Sequence, residues 1–154
     1  MMIVNLEQSK SKRRAELIII KHAGEKQWLV NSIVRFRHNS KIIVAEKRSL
    51  TSLPLDDFDC LVLSSIENYA SHEIRSVLQT KDIDILALCE YGRVVMPLLF
   101  MATAIFDLHR SQGGATLTVE KNRHGPVGEI RWLDLDSEKR QYTGLPEIVF
   151  GRKR

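Results

Sequence analysis

Short apolar runs alternate with amphipathic stretches along the first two thirds of the chain. The apolar runs are five or six residues long and contain many β-branched side chains, a pattern typical of strands buried on both faces. Between them, apolar residues recur at the spacing of one helix face. The pattern predicts strands at residues 16–21, 41–45, 58–63, 84–89 and 104–108, and helices at 26–37, 72–79 and 96–101.

The pattern changes after a pair of glycines. Two runs of alternating apolar and polar residues, 115–121 and 129–135, flank a turn that contains glycine and proline, and they predict a β-hairpin. Residues 141–143 are predicted to add a short strand, and residues 51–57 are predicted as a loop. Strand–helix alternation followed by antiparallel strands predicts an α/β fold, with a mainly parallel sheet flanked by helices and a C-terminal antiparallel hairpin extension.

The chain has 154 residues, which suits one domain with a continuous core. We expect a flexible basic segment at residues 1–15, the folded domain at 16–144 and a basic tail at 145–154. Cys60 and Cys89 both lie in apolar runs, so we expect reduced core cysteines and a cytoplasmic protein. We expect neither a secretory leader nor a membrane span, because no apolar run approaches the ~20 residues that a span needs.

The charge of the chain is mildly positive and unevenly distributed. Lysine and arginine number 23 against 19 acidic residues, for a net charge of +4 and an isoelectric point near 9.2. Basic residues cluster at both ends, and one more lies in the predicted hairpin; they are either solvated side chains or contacts to nucleic-acid phosphates. The nucleic-acid candidates are Lys10, Lys12, Arg13, Arg14, Arg131, Arg152, Lys153 and Arg154.

The most specific segment of the sequence is residues 119–130, which reads VEKNRHGPVGEI. It contains Lys-x-Arg followed by x-Gly-Pro-x-Gly between two predicted strands. This segment resembles the hairpin of DnaB-type replicative helicases, with Lys121, Arg123 and Pro126 in the family's places. The preceding strands also resemble those of the family in order, so the resemblance extends over about residues 16–135. It implies a RecA-like fold.

The nucleotide site that this resemblance implies departs from the family's pattern. A working phosphate loop reads GxxxxGK[ST], in which backbone N–H groups hold phosphate and the hydroxyl binds magnesium. Here Lys26 can take the lysine position, but Glu25 replaces a glycine and Gln27 replaces the hydroxyl. Ala23 and Gly24 complete this degenerate phosphate loop. The alternative for Lys26 is the first solvated lysine of the predicted helix.

The metal side of the implied nucleotide site is also incomplete. The resemblance implies a magnesium-orienting aspartate after the third strand, where this chain has Ser64 and Ser65, and the next acidic residue is Glu67. Without this carboxylate, metal-assisted phosphoryl transfer lacks its metal site. We therefore expect no ATPase activity and no cofactor. The alternative is a divergent ATPase that uses ATP and magnesium and depends on Lys26 and Glu46.

Lys121 and Arg123 keep the family's pattern although the chain's own nucleotide site is degenerate. The resemblance implies that such a pair reaches across a subunit interface to the neighbour's nucleotide and stabilises charge in the transition state. The alternative is a pair of solvated residues at the end of a hairpin. The histidines and cysteines show no spacing typical of a metal site, so no metal is expected.

Three functions are compatible with these patterns. The first is a non-catalytic accessory protein of DNA replication or recombination that docks on, and regulates, a RecA-type ATPase or replicative helicase. The second is direct DNA binding through the basic residues, and the third is divergent ATP hydrolysis. A homo-oligomer is compatible with all three, and no membrane partner is expected.

Overall fold

A computed structural model of the chain describes residues 15–34, 41–46, 49–93 and 96–151, which form one sheet with helices on both faces. The strands are β1 (Leu17–His22), β2 (Ile42–Ala45), β3 (Cys60–Leu63), β4 (Asp84–Glu90), β5 (Ala104–Ser111), β6 (Gly114–Asn122), β7 (Ile130–Asp136) and β8 (Gln141–Thr143). The helices are α1 (Lys26–Val34), α2 (Ser71–Thr80), α3 (Met96–Met101) and α4 (Leu145–Gly151). Short 3₁₀ helices are Leu50–Ser52, Leu55–Asp57 and Ile66–Asn68.

The sheet combines a parallel half with an antiparallel half. Its strand order is β2-β3-β4-β1-β5-β6-β7-β8. The strands from β2 to β5 in this order are parallel, and β5 to β8 form consecutive antiparallel pairs. This arrangement confirms the predicted α/β class, with a mainly parallel sheet and antiparallel C-terminal strands.

The central strand β1 shows why continuous apolar runs form the parallel half. Ile18 and Ile20 point to one face of the sheet, Leu17 and Ile19 point to the other, and each is at most 1% exposed. Because side chains along a strand alternate between the two faces, a strand that is covered on both sides carries apolar residues at every position.

Each face of the sheet has its own hydrophobic core. On the first face, α1 and α4 bury Leu29, Ile33 and Val149 against β1, β5 and β6. On the second face, α2 and α3 bury Ile74 and Leu98 against β1, β3 and β4. The core of the first face continues as far as β8, whereas the core of the second face stops at β5.

The C-terminal region differs from its prediction. The sequence predicts a basic tail from residue 145, but α4 begins there. Leu145 and Val149 are fully buried, and Gly144, with a φ of 90°, makes the left-handed turn that leads into the helix. The folded domain therefore extends past the predicted boundary at residue 144. The positive charges at the end of the chain obscured the apolar spacing that precedes them.

Two further predictions concern the boundaries of elements. The predicted loop at residues 51–57 contains two 3₁₀ turns, which bury Leu50 and Leu55. The predicted helix 26–37 is confirmed over Lys26–Val34, and its last three residues lie outside the described residues. Within the described part of the chain, no helix is long and apolar enough to cross a membrane.

Candidate functional site

The loop between β1 and α1 lies where the order of the strands reverses. β1 is flanked by β4 and β5, and the chain leaves its carboxyl end to form β2 at the far edge of the sheet. Ligands of α/β proteins bind in the crevice outside the carboxyl ends of the strands at such a switch point. The residues around this loop are therefore the candidate site.

The backbone N–H groups of this loop are already bound by side chains of the same loop. Nδ1 of His22 accepts hydrogen bonds from the N–H groups of Gly24 and Glu25, at 3.2 Å in each case. The carboxylate of Glu25 accepts one from the N–H group of Ala23 at 3.1 Å. Gly24 has a φ of 89°, a left-handed conformation that favours glycine. In a working phosphate loop such N–H groups bind the phosphates. We call residues 22–25 in this arrangement the closed loop.

His22 is buried, and its neutral imidazole can accept both hydrogen bonds at Nδ1. Its side chain is 1% exposed. Burial lowers its pKa below the ordinary value of 6.5, although the charges of Glu25, Glu90 and Glu67 act in the opposite direction. The two N–H groups that point at Nδ1 need an unprotonated nitrogen there, and the neutral imidazole provides one. His22 is therefore neutral near pH 7 and holds the loop closed.

Lys26, the first residue of α1, points towards the end of β3. Its Nζ donates to Oγ of Ser65 at 3.5 Å, a long contact. The neighbouring Ser64 is buried, and its Oγ donates to the carbonyl of Ala45 at 3.3 Å. Lys26 and the end of β3 thus lie close together. This strand end offers hydroxyl groups where a magnesium site needs a carboxylate.

Glu67, in the 3₁₀ helix after β3, is the acidic residue at this end of the site. Its Oε1 is buried and has no hydrogen-bond partner among the described residues. Burial raises the pKa of Cys89 to about 11, and the charge of Glu67 adds to this effect. The sequence alone places Glu67 only beyond the third strand. The signal that it turns inwards is its position between Ile66 and Tyr69, which are both buried.

Two residues of the predicted site lie away from the closed loop. The side chain of Gln27 donates to Oδ1 of Asn31 at 2.9 Å, along the surface of α1. Glu46 is exposed at the end of β2, and β3 and β4 lie between its strand and β1. Because Lys26 follows β1, two strands of the sheet separate the alternative catalytic pair.

Lys121 and Arg123 contact the C-terminal end of α3. Nζ of Lys121 donates to the carbonyls of Leu99 and Phe100 at 3.0 and 3.2 Å. Arg123 donates to the same carbonyl of Phe100 at 3.1 Å. Positive side chains at a helix C-terminus satisfy its last carbonyls and interact favourably with the helix dipole. Lys121 therefore has a structural role, while the exposed Arg123 is also accessible to a partner.

Of the candidate residues for nucleic-acid binding, Arg131 is the one that lies in the described part of the chain. Nη1 of Arg131 lies 3.8 Å from Oε1 of Glu129, so a carboxylate partly offsets its charge. The other candidates lie outside the described residues: Lys10, Lys12, Arg13, Arg14, Arg152, Lys153 and Arg154. Among the residues that are described, no group of three or more histidine, cysteine, aspartate or glutamate side chains could hold a metal ion.

Comparison with solved structures shows a RecA-like P-loop fold. The crystal structure of the RadB recombinase matches with a TM-score of 0.57 and 11% sequence identity, over 89% of this chain and 94% of that chain. The crystal structure of the N-terminal domain of zonular occludens toxin from Neisseria meningitidis matches with a TM-score of 0.53 and 13% identity, over 82% of this chain and 97% of that chain. Such low identities show the fold alone, and the narrower DnaB-type resemblance stays a prediction. No protein-family model matches the sequence, and no characterised protein matches it significantly.

Proposed function

We propose that the chain is a non-catalytic RecA-like protein that docks on a RecA-type ATPase of DNA replication or recombination and regulates it. The closed loop is the observation that carries this proposal. The N–H groups of Ala23, Gly24 and Glu25 are bound by the chain's own side chains, which leaves none of the three for a phosphate. A RecA-like protein whose loop disfavours ATP is expected to act through contacts of its surface.

ATP would have to open the closed loop before it could bind. A phosphate at the loop would face the carboxylate of Glu25, and two negative charges ~4 Å apart repel by about 4 kcal/mol at an effective dielectric constant of ~20. The phosphate would also have to displace His22 from two N–H groups, which costs about 1–2 kcal/mol. Together these terms weaken nucleotide binding roughly ten-thousand-fold.

The hairpin between β6 and β7 supports docking on another ATPase. Arg123 lies there with an exposed side chain, beside Phe100, which is 71% exposed. In the DnaB-type helicases that the sequence resembles, the Lys-x-Arg pair belongs to the nucleotide site of the neighbouring subunit. Arg123 is the better candidate for this contact, because two carbonyls of α3 hold Lys121.

Thermal unfolding with and without ATP and magnesium tests the nucleotide part of the proposal. A real site would stabilise the protein by ~2.7 kcal/mol at about a hundred times the Kd. For a domain of this size, that raises the Tm by roughly 5–11 °C. We expect no such shift for the wild type or for Lys26→Ala. A shift in the wild type that Lys26→Ala abolishes would instead identify a nucleotide site, as a divergent ATPase requires.

ATP hydrolysis by a RecA-type ATPase tests the docking part. The replicative helicase and the recombinase of the same organism are each assayed with increasing amounts of the chain. We expect the rate of one of them to change, and we expect Arg123→Ala to abolish the change. Arg140→Asn removes an exposed arginine from the turn between β7 and β8, at the other end of β7 from the hairpin, and is the matched control, which should act like the wild type. Asparagine tolerates the positive φ of 53° at this position. Unchanged rates for both ATPases would contradict the proposal.

Direct DNA binding is the competing function, and an assay with labelled DNA separates it from docking. Phosphate contacts release counterions, so such binding weakens steeply with salt. Fluorescence anisotropy at increasing salt measures this slope. Salt-sensitive binding that Arg131→Gln weakens would favour DNA as the ligand, whereas no binding at low salt would leave docking as the proposed function.

A further inference from the structure

The second face of the sheet, which carries α2 and α3, is uncovered over β6 and β7. Leu117 and Leu133 point to the first face and are fully buried. The residues that alternate with them point the other way, and there Ile130 is 64% exposed and Trp132 is 54% exposed. Large apolar side chains that lie together on an open sheet face mark an interaction surface.

Three ring side chains lie on this open face, in two groups. The ring of Tyr91, which follows β4, stacks on His109 of β5 with centroids 5.7 Å apart and planes at 26°. The register pairs His109 with Thr116 and Thr116 with Trp132, so a threonine on β6 separates this stacked pair from Trp132 on β7.

The ring of Trp132 is held in a fixed position. It lies against the backbone of Gly114, where a Cβ atom would collide with the ring. Its Nε1 donates to Oδ1 of Asp134 at 2.9 Å. The indole thus packs on the sheet from one side while more than half of the residue remains exposed. Because the ring is already ordered, a ligand that binds to it does not have to immobilise it.

The charges on this face are predominantly negative. The carboxylate of Asp107 accepts a hydrogen bond from the hydroxyl of Tyr91. Partial burial acts to raise the pKa of Asp107, but the hydrogen bond from Tyr91 holds that pKa below its ordinary value, so the carboxylate is charged. Glu120 pairs with Lys21 at 2.7 Å. Oδ1 of Asp107 lies 3.5 Å from Nε2 of His109, and the charge of Lys21 also acts on this carboxylate. The three carboxylates of Asp107, Glu120 and Asp134 thus share this face with Lys21 and His109.

We propose that this surface binds an arginine- or lysine-bearing segment of a partner protein. We call it the acidic aromatic face, and it consists of Tyr91, Asp107, His109, Ile130, Trp132 and Asp134. A cation above an exposed indole is attracted by the quadrupole of the ring, and the carboxylates beside the ring attract the same cation. Rings also stack on nucleic-acid bases, but the three carboxylates beside the rings outnumber the one lysine and repel phosphates, which favours a basic protein segment. This inference is independent of whether ATP binds.

Anisotropy of a fluorescein-labelled nona-arginine peptide tests the proposal. The variant Asp107→Asn/Asp134→Asn removes two charges from the acidic aromatic face while it preserves side-chain size. The matched control Glu129→Gln/Glu147→Gln removes two charges from the pocket on the opposite face, between α4 and the hairpin. We expect the first variant to weaken binding at least about tenfold and the control less than about twofold. Trp132→Ala should weaken binding about as much as the first variant, whereas Trp132→Phe keeps a ring and retains most of it.

Circular dichroism of each variant shows whether it is folded, and the Asn and Phe variants keep the test decisive if Trp132→Ala does not fold. Equal weakening by both double variants would mean that the peptide senses only the overall charge, and it would overturn the proposal. Absence of peptide binding to the wild type would overturn it as well. Binding of a short single-stranded oligonucleotide that Trp132→Phe retains and Trp132→Ala abolishes would also overturn it, because the rings would then stack on bases.

Discussion

Protonation of His22 should destabilise the protein, because neutral His22 holds the closed loop together. A proton on Nδ1 would turn the acceptor of two hydrogen bonds into a donor that faces the N–H groups of Gly24 and Glu25. Burial lowers the pKa of His22 below 6.5, so the unfolded chain binds this proton more readily than the native protein does. The stability that neutral His22 contributes is therefore fully present above pH 6.5 and is lost as the pH falls through the lowered native pKa.

The size of this effect follows from the two hydrogen bonds. Each is 3.2 Å long, at the weak end of the usual range, and a net hydrogen bond contributes about 0.5–1.5 kcal/mol. Gly24 is exposed and Glu25 is half-buried, so water replaces part of what is lost. We expect about 1–2 kcal/mol in total. At a urea slope of ~2 kcal/mol per molar, the unfolding midpoint moves by roughly 0.5–1 M.

The assay is urea unfolding at about pH 7.5 and about pH 5.5, on either side of the ordinary titration of histidine. The change in unfolding free energy between the two pH values is compared for the wild type and His22→Gln, whose amide does not titrate. The other histidines contribute equally to both proteins, so the difference isolates His22. His72→Gln, an exposed change on α2, is the control and should keep the wild-type pH dependence. The same pH dependence in the wild type and His22→Gln would refute the role given to Nδ1.

Two further substitutions and one labelling experiment test contacts elsewhere in the fold. Lys121→Met removes a donor to two carbonyls of α3, including that of Leu99. It should lower the unfolding free energy by about 1–2 kcal/mol. An unchanged urea midpoint would exclude the capping role. Gly114→Ala places a methyl group where the ring of Trp132 lies. It should lower the unfolding free energy by about 1–3 kcal/mol and alter the tryptophan emission. If neither quantity changes, the ring does not lie against Gly114. The thiol of Cys89 has a pKa raised to about 11 and is buried, so labelling with a thiol reagent near pH 8 should be far slower than in urea-unfolded protein; equal rates would contradict its burial.

The strands and most helices could be predicted because their buried faces carry apolar residues at a regular spacing in the sequence. The run from Leu17 to Ile20 is apolar at every position because β1 is covered on both faces, and α3 has the predicted bounds. The helix α4 was missed although Leu145 and Val149 have helical spacing. Three basic residues after the helix made the segment look like a solvated tail, and composition averaged over ten residues conceals an apolar stripe of this length.

The candidate site could be predicted only in part. The sequence indicated that Glu25 would oppose a phosphate, because a carboxylate repels one wherever it lies in the loop. It could not indicate that His22 would bind two N–H groups, since that depends on the direction of a buried ring and on the φ of Gly24. The contact of Lys121 with Leu99 joins residues 22 positions apart, and only tertiary packing brings them together.

We expect that a return to the phosphate-loop consensus at one position does not create an ATP site. Glu25→Gly would remove the repelling carboxylate, but His22 would still bind two N–H groups of the loop. Ser64 and Ser65 would still stand at the end of β3, where the resemblance implies a carboxylate, and Glu67 lies beyond them in the next 3₁₀ helix. The contacts of the closed loop stabilise the native fold, and the total stability of a folded domain is only ~5–15 kcal/mol. We therefore expect a phosphate to bind at this loop only at the expense of folding free energy.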